Sequence, residues 1–265
     1  MESIRLDALA AKQFAVPLEE AAALLMAGRV YIGHVPAGKP GEPVPPDTVL
    51  TLREKPRKYA SRSGYKLEKA LGAFGVDPTG RTACDLGASN GGFTDCLLQH
   101  GAARVCAVDV AYGILAWELR QDGRVTVLER TNARNLTAEQ VGGPCDLVTA
   151  DVSFISLTKI FPAVDRILKP DGQCLALIKP QFEAAPRQVG KNGVLRDPAD
   201  LPPLLLSLLG AAEGNGLHPA GLTVSPIHGA NGNVEYLAHF TRCPGLAPEE
   251  WPACVEQAVR ERPDV

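Results

Sequence analysis

No apolar run in this 265-residue sequence approaches the roughly 18 residues that a membrane-crossing helix needs. The opening Met1-Glu2-Ser3-Ile4-Arg5 lacks the apolar stretch of a secretory signal, so a soluble, cytoplasmic protein is expected. The seven cysteines include no C-x-x-C pair and the five histidines are scattered singly, which leaves no framework for a metal site. Cys84, Cys106, Cys145 and Cys174 fall within or at the start of apolar strand candidates and read as reduced core residues. Internal repeats and low-complexity tracts are missing too, as is any cationic amphipathic helix rich in aromatics that would suit a membrane-active peptide.

What is present is enough apolar residue, 45%, to bury one full α/β core and still carry a small extra module. The net charge of −3 is unevenly spread. Residues 1–52 carry 4 basic and 6 acidic side chains, whereas residues 53–69 carry 7 basic and 2 acidic. That short strip, with Arg57, Lys58, Arg62 and the interleaved Tyr59 and Tyr65, suits a phosphate backbone with bases to stack on; a solvated linker is the alternative. Within residues 1–52, Ile4, Leu6 and Leu9 mark a first short helix, and Leu18, Ala21, Ala22, Leu25 and Met26 share a face of a second. Strands are expected at Arg29–Ile32 and Thr48–Leu52.

The segment that organises the rest is Cys84-Asp85-Leu86-Gly87-Ala88-Ser89-Asn90-Gly91-Gly92-Phe93-Thr94, an apolar run that ends in an acid and passes through three glycines into an amphipathic stretch. This is the pattern of a strand, a tight turn and a helix, and its free N–H groups would face a ligand. The spacing Gly-x-x-x-Gly-Gly departs from the dinucleotide fingerprint. Asp85 would repel a pyrophosphate but hold an amino group. A second strand candidate ends in Asp109, 24 residues later, about where a ribose-binding carboxylate is expected. Together they suggest S-adenosylmethionine, with a glycine turn of another α/β domain as the alternative.

From residue 70 onward strands and helices alternate. Strands are expected at 104–109, 124–128, 145–151, 173–178 and 233–240, and helices at 93–99, 115–120, 155–168 and 201–214, with a final helix and tail in 244–265. Alternation of this kind implies a mostly parallel sheet covered on both faces. Its ligands would sit beyond the strand ends, at Asp85, Asp109, Asp151 and Lys179. A lysine directly after the buried run Gln173–Ile178 needs carboxylates beside it. Asp151 and Glu235 are the candidates, and Lys66 completes a cluster whose alternative reading is a structural ion-pair network.

Seven motifs in order resemble the TlyA (haemolysin A) family of ribosomal-RNA 2′-O-methyltransferases, whose catalytic part is similar to FtsJ-type enzymes. They are Ser61 to Leu67, Asp85 to Thr94, Ala107 to Gly113, Glu129 to Arg134, Ala150 to Ser156, Ile178 to Phe182 and Gly229 to Glu235. The resemblance implies a Rossmann-like, doubly wound α/β sheet that binds S-adenosylmethionine, spanning residues 59–243. It further implies a small N-terminal α+β module of the alpha-L RNA-binding type within residues 1–58, and ribosomal RNA or a ribosomal subunit as substrate. It also implies a catalytic tetrad of Lys66, Asp151, Lys179 and Glu235, and no metal. Cofactor contacts would fall on Asp85, Gly87, Ala88, Ser89, Gly91, Gly92, Phe93, Asp109, Val110 and Asn132, and RNA contacts on Arg57, Lys58, Arg62 and Tyr65. Asn90 stands where the family usually has threonine, and Ser63 where it usually has glycine. A non-catalytic binder of S-adenosylmethionine or RNA is the rival reading, and a membrane-active toxin is suggested by the family's name alone.

Overall fold

The computed structural model describes residues 3–53 and 58–262, and the chain divides into two compact units, Met1–Lys58 and Tyr59–Val265. The first unit runs β1 (Ile4–Arg5), α1 (Leu6–Phe14), α2 (Leu18–Met26), β2 (Val30–Ile32), β3 (Val35–Pro36), β4 (Pro43–Val44) and β5 (Leu50–Leu52). Its apolar stripes, Leu6, Leu9 and Ala10 from α1 with Ala21, Leu24 and Leu25 from α2, close over Val30, Val44 and Leu50. The sequence expected the first helix to include Ile4. In the structure Ile4 instead pairs with Val44 as a strand, because the chain from Pro43 runs antiparallel beside it. Arg57, expected to contact RNA, lies outside the described residues.

The second unit begins with α3 (Ser63–Phe74), β6 (Thr82–Leu86), α4 (Gly92–Gln99), β7 (Arg104–Val108), α5 (Trp117–Gln121) and β8 (Val125–Leu128). It continues with β9 (Cys145–Ala150), α6 (Phe161–Ile167), β10 (Leu168–Ile178), α7 (Pro180–Glu183), α8 (Leu201–Glu213), β11 (His218–Val224), β12 (Tyr236–Thr241) and α9 (Trp251–Arg260). Seven strands form one sheet in the order β11-β12-β10-β9-β6-β7-β8. Parallel pairing joins β8, β7, β6, β9 and β10, while β12 runs against both its neighbours. Strand side chains alternate between two cores. Cys84, Cys106, Val148 and Cys174 face α6, α8 and α9, while Ala83, Val105, Leu147 and Leu175 face α3, α4 and α5.

Several elements differ from the sequence reading. The basic strip is not a linker throughout: from Ser63 it becomes α3, whose Leu67, Ala70 and Leu71 are buried. Tyr59 is buried, with Tyr65 packed edge-on at 5.4 Å, so Tyr59 cannot stack on a base. The helix expected at 155–168 starts later, at Phe161, after a 3₁₀ turn at Leu157–Lys159. Pro162 explains the delay, since a proline suits the first helical turn and lacks the N–H that an earlier start would use. The edge strand β11 went unanticipated because Pro219 and Gly221 interrupt its alternation. Helix α9 is no appendage: Val255 and Ala258 are buried in the same core as α8.

Candidate active site

The parallel strands β6, β7, β9 and β10 all end at one side of the sheet, and their last residues meet there. Gly87 N–H and Ala88 N–H both donate to Val108 O, at 2.9 and 3.0 Å, and Asp151 N–H donates to Leu86 O at 2.9 Å. These bonds fold the turn after β6 across its neighbours. Gly87 must be glycine: its φ is +83°, and a Cβ there would stand 2.5 Å from Asp151 O. Gly91 shares the left-handed backbone, at φ +93°, and both it and Gly92 also answer to close packing. A Cβ on Gly91 would run into Leu119, and one on Gly92 into the hydroxyls of Ser61 and Ser63. Both make room, Gly91 for α5 and Gly92 for the segment leading into α3, within the turn expected to approach the cofactor.

Two neighbouring clefts open over this turn. The larger, about 370 Å³, is lined by Gly87, Ser89, Asp109, Val110, Asn132 and Phe154 among others, with Ile114, Val152, Ile155 and Ile160 as apolar wall. Asp109 anchors it, accepting from Ser89 N–H and Ala111 N–H, both at 2.8 Å. Asn132 accepts from Arg134 N–H and so starts the 3₁₀ turn on the cleft's rim. The smaller cleft, about 180 Å³, shares Gly87, Ser89, Asp151 and Ser153 with the larger and adds Ser61, Ser63, Ala88, Phe93 and Lys179. Asn90 donates to Ile114 O at 3.2 Å and ties the turn to the wall. Ser63 is accommodated, bonding to Ser61 Oγ at 2.7 Å in the space left by Gly92.

Asp85 is not among the residues lining either cleft. It is fully buried behind the turn, where Thr94 Oγ1 and Thr149 Oγ1 donate to it at 2.7 and 3.0 Å. Burial pushes its carboxyl up to about 6 despite both hydroxyls, and the charge of Asp151 adds to the rise. The reading of Asp85 as a holder of an amino group is therefore corrected: the group braces the turn from beneath.

The four tetrad residues form two ion pairs on adjoining strand ends. Lys179 Nζ stands 2.6 Å from Asp151 Oδ1 and donates to Ser153 Oγ at 2.7 Å. Lys66 Nζ, from the first turn of α3, stands 2.5 Å from Glu235 Oε2. Ile178 pairs with Tyr236 across the antiparallel register, so Lys179 and Glu235 follow on as the next opposed positions. A Cβ on Gly229 would fall on the Glu235 carboxylate, which fixes that glycine too.

Two residues of the Ala150 to Ser156 motif, Ser153 and Phe154, have no role of their own in the sequence reading. Ser153 is a lone hydroxyl two positions past a strand end. Phe154 is 91% exposed with φ +61°, a left-handed conformation rare for an aromatic residue, and its ring lies 5.1 Å from that of Phe182. Of the residues expected to contact RNA, Lys58 and Arg62 are exposed and Tyr65 is half-buried.

This strand order, with a glycine turn and acids at the ends of the parallel strands, defines the class as an α/β fold of the methyltransferase type. The family described as FtsJ-like methyltransferase matches residues 59–242, and the chain belongs to it. It is 47% identical over 235 residues to the Mycobacterium tuberculosis protein named 16S/23S rRNA (cytidine-2′-O)-methyltransferase TlyA, covering 88% of each chain. To hemolysin A of Brachyspira hyodysenteriae it is 44% identical, covering 69% of this chain and 77% of the other. Among solved structures, a provisionally named hemolysin of Streptococcus thermophilus superposes with a TM-score of 0.73 at 41% identity, over 98% of this chain and 97% of that one. Among the described residues, no helix is long and apolar enough to cross a membrane.

Proposed function

We propose that this protein transfers a methyl group from S-adenosylmethionine to a ribose 2′-hydroxyl of ribosomal RNA, in the cytoplasm. The observation that carries the reading is the Lys179–Asp151–Ser153 group on the wall of the smaller cleft, directly beside the larger one. The larger cleft fits an adenosyl group in size and chemistry: apolar walls for a base, Asp109 for ribose hydroxyls and Asn132 at the rim. When bound, the cofactor supplies an electrophilic methyl.

The chain's own residues then act on the acceptor. Lys179 Nζ, once its own ammonium proton has passed to solvent, takes up the proton that leaves the 2′-hydroxyl, and Asp151 holds the ammonium that is re-formed. Lys66, held by Glu235, contributes positive charge toward the oxygen as it becomes anionic. Positioning the reactants about 3 Å apart is worth several kcal/mol, and general-base help a factor of about 10² to 10⁴. The exposed Phe154 beside Phe182 offers a face on which a base can stack. The basic side chains of the 53–69 strip, Arg57, Lys58 and Arg62 among them, supply phosphate contacts. The small N-terminal unit, net −2 over residues 1–52, adds shape more than charge.

The test is single-turnover transfer of radiolabelled methyl to ribosomal subunits from a strain lacking the enzyme, followed by mapping of the modified nucleotide. Label on a base instead of a ribose would overturn the 2′-O assignment. Tight cofactor or RNA binding without transfer would return the chain to the non-catalytic reading.

A further inference from the structure

Beyond Lys179 the chain passes through α7 into a hairpin that none of the site geometry above uses. Residues 186–196, Pro-Arg-Gln-Val-Gly-Lys-Asn-Gly-Val-Leu-Arg, carry three basic side chains and no acid, in a protein of net charge −3. Val189 and Leu195 bridge as antiparallel partners, Gly190 N–H donates to Val194 O at 2.7 Å, and Arg196 N–H donates to Gln188 O at 2.9 Å. Arg187 and Lys191 are exposed, and neither is ion-paired among the described residues. Arg196 is exposed as well, its Nε donating to Val189 O. The hairpin thus presents three positive groups on a short, self-bonded element.

Its tip is not free. Asn231 Nδ2 donates to Asn192 O and Asn233 Nδ2 to Gly193 O, both at 2.9 Å. These asparagines sit on the loop that ends at Glu235, and that loop is folded to a specific shape. Gly229 N–H donates to Asn233 O, Ser225 N–H donates to Glu235 O, and Asn231 takes a left-handed φ of +57°. The hairpin is therefore joined to both ion pairs, by chain continuity to Lys179 and by two side-chain bonds to the loop carrying Glu235.

We propose that hairpin 186–196 is an RNA-phosphate contact whose seating positions Glu235, with Arg187, Lys191 and Arg196 meeting the backbone and Asn231 and Asn233 carrying the position across. The inference rests on the RNA substrate proposed above and names a second region of its contact surface, separate from residues 53–69. Phosphate contacts of this kind add to affinity without reading sequence, and each shows as salt dependence. Asn231 and Asn233 are positioning residues, because neither is among the residues lining the two clefts.

Two variants of the full chain test it, each with RNA affinity across a salt series, cofactor affinity by calorimetry and single-turnover methyl transfer. Arg187→Gln/Lys191→Gln/Arg196→Gln should weaken RNA binding about tenfold and lower the salt slope by about 2, with cofactor affinity unchanged. Asn231→Gly keeps the left-handed backbone and removes one tip bond. It should leave RNA and cofactor affinities within about twofold yet slow transfer at saturating RNA about fivefold or more. An unchanged salt slope in the triple variant would overturn the phosphate contact. Unchanged transfer at saturating RNA in Asn231→Gly would overturn the coupling to Glu235. Absent transfer by the unmodified protein would defeat the proposed activity, and is distinguishable because RNA binding is read separately and judges the hairpin on its own.

Discussion

The two lysine–carboxylate pairs look alike in sequence and differ in the structure. Their lysines are equally screened, each side chain 11% exposed, but Glu235 is 3% exposed while Asp151 is 17% and lines both clefts. Lys179 also keeps a hydroxyl partner in Ser153. One pair is built into the packing between α3 and β12, and the other stands on the wall of the smaller cleft. The same division separates Asp85, buried beneath the turn, from Asp109, which faces the larger cleft. Acids at the ends of neighbouring strands therefore divide into those buried in the packing and those that line the clefts.

The sharpest way to break that comparison is to exchange the lysines. Lys179→Ala and Lys179→Arg should each cut single-turnover transfer about 10²- to 10⁴-fold, since a guanidinium keeps its proton at any accessible pH and cannot act as base. Lys66→Arg should retain part of the activity, and cofactor affinity should stay within a few-fold in all three. Equal activity in the two arginine variants, close to that of the unmodified protein, would make the four residues a structural network.

Stability separates the pairs next. Glu235→Ala leaves Lys66 buried without its carboxylate and should cost about 3–5 kcal/mol. Asp151→Ala leaves Lys179 with Ser153 and more water, and should cost about half that or less. Urea titration of both variants measures the difference, and equal losses would remove it.

Asp85 makes the third test through pH. Its carboxyl sits at about 6 when folded, against about 3.9 in an unfolded chain. The folded form holds the proton more tightly, so its stabilising contribution is complete below pH 4 and is lost as pH rises through 6. Relative to Asp85→Asn, the unmodified protein should lose roughly 3 kcal/mol between those limits and nothing further above. A difference that stays constant from pH 4 to 7 would mean the carboxyl is ionised throughout. The smallest effect is at the cleft itself: Asp109→Ala should weaken S-adenosylmethionine binding by about 1.5–3 kcal/mol with the fold unchanged. Unaltered binding by calorimetry would remove Asp109 from the site.

Much of this site was legible because strand ends announce themselves. An apolar run followed by Asp109, Asp151 or Lys179 marks a position whatever the sheet order, and the sheet then brings these positions together. Glycine carries less detail, since the sequence Gly87–Gly92 reads as one cradle while the structure gives each glycine its own local reason, a left-handed backbone at Gly87 and Gly91 and close packing at Gly92. Asp85 was misread for a related reason: whether an acid faces a ligand or a threonine pair depends on the face it presents, which Thr94 and Thr149 decide from distant positions. Phe154 was invisible because its exposure follows from a backbone angle that no neighbouring residue dictates.

The reversed direction of β12 has a consequence for the order in which the molecule is made. Because that strand runs against β10, its first residues lie beside the last residues of strands completed much earlier, and Glu235 arrives where Lys66 has been waiting since the start of the second unit. A chain emerging from the ribosome thus holds every other part of the site before it holds this one. The two ion pairs stay incomplete until Glu235 has been translated and β12 behind it has been laid down beside β10, so the second pair closes last.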